Sequence, residues 1–588
     1  MLDGEKDKLT GAELAILTNR IAGINRKCAN TMLRTCRSGV LNRARDYSVC
    51  VITADCRLLN NAEALPIHTL WGPHEMAQYM KEYHPDLKRG DAFLHNSPFH
   101  GNGHAADHAV LVPVIDDDGI HRLTLVIKAH QADCGNSLPT TLHATARDLF
   151  EEGALLFPCV KLQSDYEFVD DVVRMCKLRI RLPDQFFGDL MASVGSARIG
   201  EREFLALGEE IGWDRLETYA EQWFDYSESM MVEEIRSMTP GTAKVVSFHD
   251  HFPGTPEEGI RIVAEVRIDS EEEMIHVDLT ECPDNMPCGL NLTEATTRTA
   301  AMIGIFNSID PRVPASAGSF RRINITLREG AIAGIPAYPY STSVATTNVA
   351  DHVSNSVQRA IAEISSNNGM GETGYAFTPA TASVSGIDPR NGKPFVNMMF
   401  LGHTAGAGNC HGDAWMTMLH AGNGGLCQID STELSELYHP IEIDQRRLEV
   451  DTEGAGRHRG APALRIEYGP IEGAQLDIVY ASDGVQHPAK GAQGGGSPMP
   501  ANQFLRHADG SLEDLPSVHR LILEPGQIIV GVAQGGGGFG DPKERAPQRV
   551  VEDVREGYIS QERARSVYGV AVNQDFELDK EVTAQLRD

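Results

Sequence analysis

Histidine and aspartate side chains are concentrated between residues 90 and 135, a stretch that begins GDAFLHNSPFHGNGHAADHAVLVPV. Its glycines disfavour a regular helix in the first half. The alternating apolar runs 110–115 and 123–129, joined by an acidic turn, predict a β-hairpin. A hairpin brings its two open ends together. We therefore expect His104 and Asp107, before the first strand, to meet His130, which follows the second.

Two imidazoles and one carboxylate are typical of a catalytic metal site, in which three protein ligands leave one position open. Zn²⁺, Mn²⁺ or Fe²⁺ held in this way polarises a carbonyl group or lowers the pKa of a bound water toward ~7. Ligating imidazoles need a partner for their second nitrogen, so we interpret His100, His108 and Asp133 as such partners or as proton carriers. The alternative is a histidine-rich polar loop whose side chains cap turns. His68 is as readily structural as functional.

A cysteine nucleophile is a second chemical hypothesis, since Cys134 follows His130 closely and could pair with it or with His104. Such a nucleophile needs a neighbouring base or a helix N-terminus to lower the pKa of its thiol. One cysteine near one histidine in the sequence is weak support, so the metal site is favoured.

Composition and charge restrict the class of protein. A chain of 588 residues is too long for one hydrophobic core, so several lobes are expected. The formal charge of −30 repels phosphate backbones and disfavours nucleic-acid binding. No run approaches the ~20 apolar residues of a membrane-spanning helix. The start MLDGEKDKL lacks a secretory pattern and the eleven cysteines form no framework, which predicts a cytoplasmic protein with reduced thiols.

Periodicity predicts an α+β fold around the hairpin. Thr10 to Glu13 form a capping box that opens a helix reaching about residue 36, and another hairpin is expected over 41–59. From residue 242 the apolar period changes to two, which indicates antiparallel sheet. Further helices are predicted over 72–83, 144–152, 183–211, 213–238, 293–307, 351–365 and 546–570.

We expect a multi-lobed chain: a metal-site α/β domain over 1–240, a central α+β domain over 241–440, and a β-rich, glycine-rich domain with a terminal helix over 441–588. None of the glycine clusters reads GxxxxGKS/T or places GxGxxG between a strand and a helix, so no nucleotide site is expected in them. They are interpreted as places where backbone approaches backbone, or a partner, closely. The clusters lie at 402–415, 421–425, 453–463, 491–497 and 534–542.

The hairpin motifs resemble those of the hydantoinase B/oxoprolinase family. NSPFHGNGHAADHAVLVPV is similar to that family's N-D-P-Y-x-G-G-T-H-x-x-D-V, and KAHQADCG is similar to its R-A-H-H-A-D-I-G. The chain departs from these motifs at Ser97, Gly103 and Gln131, where the family has Asp, Thr and His. Further similar segments, in the family's order along nearly the whole chain, are RDYS, GAGRHRG, GGGGFGDP, VEDVREGYIS and YGV.

The resemblance implies one subunit of a two-component, ATP-dependent enzyme. Members of the family include 5-oxoprolinases, hydantoinases, lactamases and the related acetone and acetophenone carboxylases. In the metal-dependent carboxylases the ligands fall on the positions of His104, Asp107 and His130. Zn²⁺ is the first choice for the ion and Mn²⁺ the second. ATP and Mg²⁺ are expected mainly on a partner subunit of the hydantoinase A type, in an α2β2 complex.

The implied reaction has two steps. The partner phosphorylates an amide or enol oxygen, and the activated carbon then reacts with water in a ring-opening hydrolase or with carboxy-phosphate in a carboxylase. His100, His108, Asp133 or Asp46 would move protons. Cyclic-amide hydrolysis is preferred, because the chain resembles the shorter hydrolase-type subunits. Ketone carboxylation and a non-catalytic, metal-stabilised scaffold are the alternatives.

Overall fold

The computed structural model describes residues 8–61, 64–375, 378–402, 404–416, 420–424 and 426–588. The first seven residues, which carry the expectation about secretion, lie outside the described residues, as do positions 403 and 425 of two glycine clusters. Helices and several separate sheets are mixed along the chain, which confirms the predicted α+β class. No helix of the described ranges is long and apolar enough to cross a membrane.

The helices follow the predicted periodicity in most places. Six of them, the first, fourth, seventh, eighth, ninth and eleventh, have the predicted bounds to within two residues. The helices of the described residues are α1 (Gly11–Thr35), α2 (Gly39–Asn42), α3 (Pro66–Thr69), α4 (Pro73–Tyr83), α5 (Leu149–Glu152), α6 (Asp170–Arg179), α7 (Pro183–Ile211), α8 (Trp213–Ser237), α9 (Glu294–Phe306), α10 (Ala317–Phe320), α11 (Val349–Ile364), α12 (Thr432–Tyr438), α13 (Pro547–Arg555), α14 (Gln561–Ser566) and α15 (Lys580–Arg587).

Local capping explains where helices begin and end. Thr10 accepts a hydrogen bond from the backbone of Glu13, and the Glu13 carboxylate accepts one from the backbone of Thr10, so the predicted capping box starts α1. The helix predicted over 144–152 is wrong in its first part. Extended Asp148 caps the single turn α5, and Gly153, at φ +74°, ends it. The helix predicted over 546–570 is divided into α13 and α14 at Gly557, at φ +75°.

The predicted hairpin forms the middle of a seven-stranded sheet with the order β2-β1-β5-β4-β3-β6-β7. Helices α1 and α7 pack on one face, and the apolar side of α4 packs on the other. Every residue of the strand that begins at Asp107 is buried, so the hairpin lies inside the protein. The strands are β1 (Tyr47–Thr53), β2 (Leu58–Asn60), β3 (Ala92–His95), β4 (Asp107–Ile115), β5 (His121–His130), β6 (Val160–Ser164) and β7 (Glu167–Phe168).

A second sheet, with the order β11-β10-β9-β8, begins where the period-two pattern was predicted to begin. Helix α11 packs against β8, β9 and α9, and it is buried over almost its whole length. The loop before α11 reaches the hairpin, which links this sheet to the first one. The strands are β8 (Gly241–His249), β9 (Ile260–Asp269), β10 (Met274–Asp278) and β11 (Ile323–Thr326).

The C-terminal strands form two larger sheets and a small one, with the orders β13-β12-β16-β19, β14-β15-β20-β17-β18 and β21-β22. In the first of these sheets β12 pairs with β16, so strands from before and after residue 440 lie in one sheet. The domain boundary expected at residue 440 stays a prediction. The strands are β12 (Ser383–Asp388), β13 (Lys393–Met398), β14 (Ile441–Leu448), β15 (Leu464–Pro470), β16 (Leu476–Ala481), β17 (Asn502–Arg506), β18 (Leu512–Asp514), β19 (Val518–Leu523), β20 (Ile528–Val532), β21 (Ala571–Val572) and β22 (Leu578–Asp579).

The glycine clusters between these strands lie against each other. A Cβ atom on Gly536 would lie 1.8 Å from the carbonyl oxygen of Gly406, and one on Gly460 would lie 1.9 Å from that of Gly536. These distances leave no room for any side chain. The prediction that the clusters allow backbone to approach backbone is confirmed for the clusters at 402–415, 453–463, 491–497 and 534–542.

Candidate metal centre

The hairpin brings His104, Asp107 and His130 together. Strand β4 begins at Asp107 and β5 ends at His130, and the two residues are Cα partners in the antiparallel register. Oδ1 of Asp107 lies 2.8 Å from Nε2 of His104 and 3.1 Å from Nδ1 of His130. All three side chains are buried, and their ligand atoms lie within 4.8 Å of one another. This spacing is compatible with one shared metal ion.

Hydrogen bonds outside the cluster orient both imidazoles. Nδ1 of His104 donates to the carbonyl oxygen of Ser343 at 2.8 Å, since a carbonyl can only accept. Nε2 of a neutral His104 therefore directs its lone pair at Asp107, which is unfavourable unless a proton or a metal ion lies between them. Nε2 of His130 lies 3.0 Å from the hydroxyl of Thr141. Ligating histidines require outer partners of this kind.

The second carboxylate oxygen of Asp107 lies among cationic and neutral nitrogens. Oδ2 is 3.3 Å from Nζ of Lys128 and 3.4 Å from Nε2 of His68. In the described part of the chain, no donor completes a hydrogen bond to it. Burial by itself raises the pKa of Asp107, but His104 and Lys128 outweigh burial and hold that pKa well below its usual range. Asp107 is therefore an ionised carboxylate with an acceptor to spare, as a metal ligand must be.

His68 belongs to this cluster, although its position in the sequence did not decide its role. Its Nε2 also lies 3.5 Å from Oδ1 of Asp46, and its Nδ1 lies 3.1 Å from the Ser48 hydroxyl. Burial lowers the pKa of His68 to about 3, so the ring is neutral. The residue comes from the short helix α3, outside the hairpin, and no ligand spacing in the sequence includes it.

Asp46 is the predicted proton carrier that the fold brings to the cluster. It directly precedes β1, and its carbonyl oxygen accepts from the N–H of His130 at 3.0 Å. Burial raises the pKa of the Asp46 carboxyl. The two imidazoles and the Asp107 carboxylate form a donor set that fits a divalent metal ion.

A small cavity lies beside the cluster. Its volume is ≈ 20 Å³, room for about one water molecule. Distant parts of the chain meet around it: the ends of β1 and β5, helix α3, the loop after β5, the loop before α11, the end of β13, and the short 3-10 turn Ala421–Asn423 with the residue before it. The lining residues are Asp46, Ile67, His68, His130, Leu142, Thr346, Thr347, Met398, His420 and Asn423.

The structure places His108 away from the cluster. The alternation of β4 turns it to the opposite face of the sheet from Asp107, between the rings of Phe157 and Phe186, at centroid distances of 5.6 and 5.5 Å. Among the described residues, neither nitrogen of the ring has a hydrogen-bond partner. Burial lowers the pKa of His108 to about 3, so it is a neutral imidazole in an apolar layer.

Asp133 and His100 are not brought to the cavity either. Asp133 accepts hydrogen bonds from the side chain and backbone of Arg181 at 2.9 and 2.7 Å. The ring of His100 lies 2.7 Å from the Ser97 hydroxyl, and His100 does not line the cavity. Burial raises the pKa of the Cys134 thiol well above its ordinary value, which argues against a cysteine nucleophile.

Known proteins are similar to this chain in sequence and in fold. The chain is 27% identical to the caprolactamase β subunit of Pseudomonas jessenii, over 97% of each chain. It is 24% identical to one subunit of a putative D-/L-hydantoinase of Pseudomonas sp. strain NS671, over 99% of this chain and 98% of that one. The crystal structure of the ATP-dependent caprolactamase from Pseudomonas jessenii superposes with a TM-score of 0.88 at 25% identity, covering 98% of this chain and 99% of the other.

A more distant solved structure, nucleotide-free acetone carboxylase, superposes with a TM-score of 0.86 at 16% identity. It covers 98% of this chain and 82% of the other chain, and at this identity it shows a shared fold alone. The sequence profile of the hydantoinase B/oxoprolinase family matches residues 11–542, a range that includes the hairpin and every residue lining the cavity. The chain therefore belongs to the hydantoinase B/oxoprolinase family.

Proposed function

We propose that this chain is the metal-binding subunit of an ATP-dependent cyclic-amide hydrolase. The observation that carries the proposal is the buried cluster of His104, Asp107 and His130, whose outer hydrogen bonds and spare acceptor suit a divalent cation. The names of the two relatives, a caprolactamase and a hydantoinase, support the substrate class. Both names refer to cyclic amides.

His104, Asp107 and His130 would hold the ion. Zn²⁺ is the first choice and Mn²⁺ the second, because two imidazoles and one carboxylate suit both. When bound, the ion would supply Lewis-acid polarisation and a lowered pKa for a water molecule. The carbonyl of Ser343 and the hydroxyl of Thr141 would keep both imidazoles in the ligating orientation.

The other residues around the cavity would handle protons and exclude bulk water. Burial raises the pKa of Asp46, which makes its carboxyl able to accept and release a proton closer to neutral pH. The cavity has room for about one water molecule, so the reacting water would be held in one position. We assign no proton transfer to His100, His108 or Asp133, because their side chains lie away from the cavity.

ATP and Mg²⁺ are assigned to a partner subunit of the hydantoinase A type, in an α2β2 complex. Both relatives are named as single subunits of larger enzymes, which supports a partner, and the sequence carries no phosphate-binding loop motif. The partner would transfer a phosphoryl group to the amide oxygen. This chain would then support the attack of water on the activated carbon.

The test uses the reconstituted two-subunit complex with a panel of lactams and hydantoins. In the double variant His104→Ala/His130→Ala, we expect bound metal and substrate-dependent phosphate release to fall by at least about tenfold, because two of three ligands are lost. The matched control is His121→Asn, at the other end of β5. If the double variant keeps its metal and its turnover, the proposal is wrong.

A ketone carboxylase is the second candidate, favoured by the fold shared with acetone carboxylase. The hydrolase is preferred because the chain covers 99% of the caprolactamase chain but 82% of the carboxylase chain. The two functions differ in their need for bicarbonate. ADP formation that depends on a lactam and needs no bicarbonate supports the hydrolase, whereas ADP formation that needs both a ketone and bicarbonate contradicts it.

A further inference from the structure

Lys128 is a buried lysine beside the proposed metal ligands, and the proposed function gives it no role. It lies in β5, two residues before His130, so the alternation of the strand places both side chains on the same face of the sheet. The pairing of β5 with β4 sets Lys128 opposite Ala109 and diagonal to Asp107. Only 3% of its side chain is exposed. The ammonium group is therefore held inside the protein, next to the three ligands.

Asp107 is the charged partner of this ammonium. Nζ of Lys128 lies 3.3 Å from Oδ2 of Asp107, and in the described part of the chain no other carboxylate forms an ion pair with it. A buried ammonium is unfavourable unless it is paired in this way. A Cβ atom on Gly103 would lie 3.3 Å from Nζ. The loop before β4 therefore packs directly against the ammonium.

The two oxygens of Asp107 face different neighbours. Oδ1 lies between the imidazoles of His104 and His130, at 2.8 and 3.1 Å, where the proposed ion would be shared. Oδ2 faces Lys128 and His68, at 3.3 and 3.4 Å. The carboxylate therefore presents one oxygen to the ligand imidazoles and the other to a cation of the protein itself.

A cation in this position has opposite effects on the metal-free and the metal-bound protein. Without metal, Lys128 balances the buried negative charge of Asp107, which would otherwise be unfavourable. With metal, a dication already balances that charge, and the ammonium repels it, because charges in a buried site are weakly screened. Both effects oppose metal binding. Removal of the positive charge of Lys128 should therefore raise the affinity for a divalent ion.

We propose that Lys128 is a positioning residue of the metal site, which stands in for the metal ion beside Asp107 in the metal-free protein and weakens metal binding by charge repulsion. This role rests on the ligand set of the proposed function and is independent of the substrate class. The ammonium also restrains the Asp107 carboxylate, so the ligand set stays assembled without metal. A lower metal affinity accompanies that restraint.

The decisive variant is Lys128→Met in the full-length chain, stripped of metal with a chelator. Methionine keeps most of the lysine stem but carries no charge. We expect the dissociation constant for Mn²⁺, measured from the EPR signal of the free ion, to be at least about tenfold lower than in the wild type. Lys128→Gln, which keeps a donor but no charge, should shift the constant in the same direction. An unchanged or higher constant in both variants overturns the proposal.

The stability of the variant separates this role from simple packing. Metal-free Lys128→Met should unfold at a lower temperature than the wild type, and saturating Mn²⁺ should raise its unfolding temperature more than it raises that of the wild type. A side chain that only fills space would lower the unfolding temperature equally with and without metal, and that result contradicts the proposal.

The matched control is Arg122→Met, which removes a cation from the other end of β5, where Arg122 pairs with Asp116. Its dissociation constant for Mn²⁺ should stay within about twofold of the wild-type value, because the charge is distant from the ligands. An equal decrease in the constants of Arg122→Met and Lys128→Met would show an effect of net charge alone and would overturn the role of Lys128.

Failure of this inference and failure of the proposed ligand set give different results. If the wild-type chain binds neither Mn²⁺ nor Zn²⁺, or if His104→Ala/His130→Ala binds them as tightly as the wild type, the ligand set is wrong and the role of Lys128 fails with it. If the wild type binds metal and the double variant does not, but Lys128→Met has the wild-type affinity, this inference alone fails.

Discussion

Replacing Asp107 by asparagine removes one charge from the buried cluster and leaves the shape of the side chain almost unchanged. Nζ of Lys128, which is buried, lies 3.3 Å from Oδ2 of Asp107. Two unit charges at that distance attract by about 5 kcal/mol at an effective dielectric constant of about 20. Since removal of one partner strands the other charge, we expect Asp107→Asn to lower the free energy of unfolding of the metal-free protein by about 3–5 kcal/mol.

The assay is denaturant unfolding with a chelator present, so that metal binding does not contribute. The double variant Asp107→Asn/Lys128→Met isolates the cause, because methionine keeps most of the lysine stem but carries no charge. We expect it to regain more than half of the stability that the single variant loses. The reasoning is refuted if Asp107→Asn costs less than about 1 kcal/mol, or if the double variant is no more stable than the single one.

Three further predictions concern residues outside the ligand set. Cys134 should resist alkylation in the native protein near pH 8, because burial raises its thiol pKa; labelling detected there by mass spectrometry would contradict this. The pKa of His108 is about 3 in the folded protein, so below about pH 6.5 only the unfolded chain takes up a proton at this residue. The free energy of unfolding should therefore fall by about 1.4 kcal/mol for each pH unit below about pH 6.5. His108→Leu should remove that loss in calorimetry at about pH 7 and about pH 5, and equal losses in both proteins would disprove it. Asn348 has a φ of 46° and is hydrogen-bonded to His249, so Asn348→Gly should destabilise the protein less than Asn348→Ala does. In denaturant unfolding, Asn348→Ala should lower the free energy of unfolding by about 1–3 kcal/mol, and equal stabilities of the two variants would contradict backbone strain at this position.

Local rules predicted the parts of the site that lie in one hairpin. The alternation of apolar residues and the acidic turn determine the strand pairing, and the pairing makes Asp107 and His130 neighbours. The same alternation also predicts that His108 lies away from the metal-site cluster, because residues adjacent in a strand point to opposite faces of the sheet. Once β4 begins at Asp107, its neighbour in the sequence must lie on the other side of the sheet.

Other residues of the site could not be found in this way. His68 comes from α3, and His420 comes from the segment before a 3-10 turn, so no spacing rule relates them to the hairpin. Asp133 looked available as a proton carrier, but Arg181, which belongs to the segment before α7, holds it in a salt bridge. Whether a polar side chain is available or already paired depends on which distant segment packs against it.

The sequence by itself determined the α+β class, the capping box of α1, the long helices α7 and α8, and the hairpin that joins His104, Asp107 and His130. These features depend on hydrogen bonds and apolar periods within a few turns or two adjacent strands, and such information is local. Only the tertiary structure decided that Asp46, His68 and His420 share one cavity with the hairpin. Their contacts depend on how α3, the loop before α11 and the turn Ala421–Asn423 pack together, and that packing is set by burial across the whole chain.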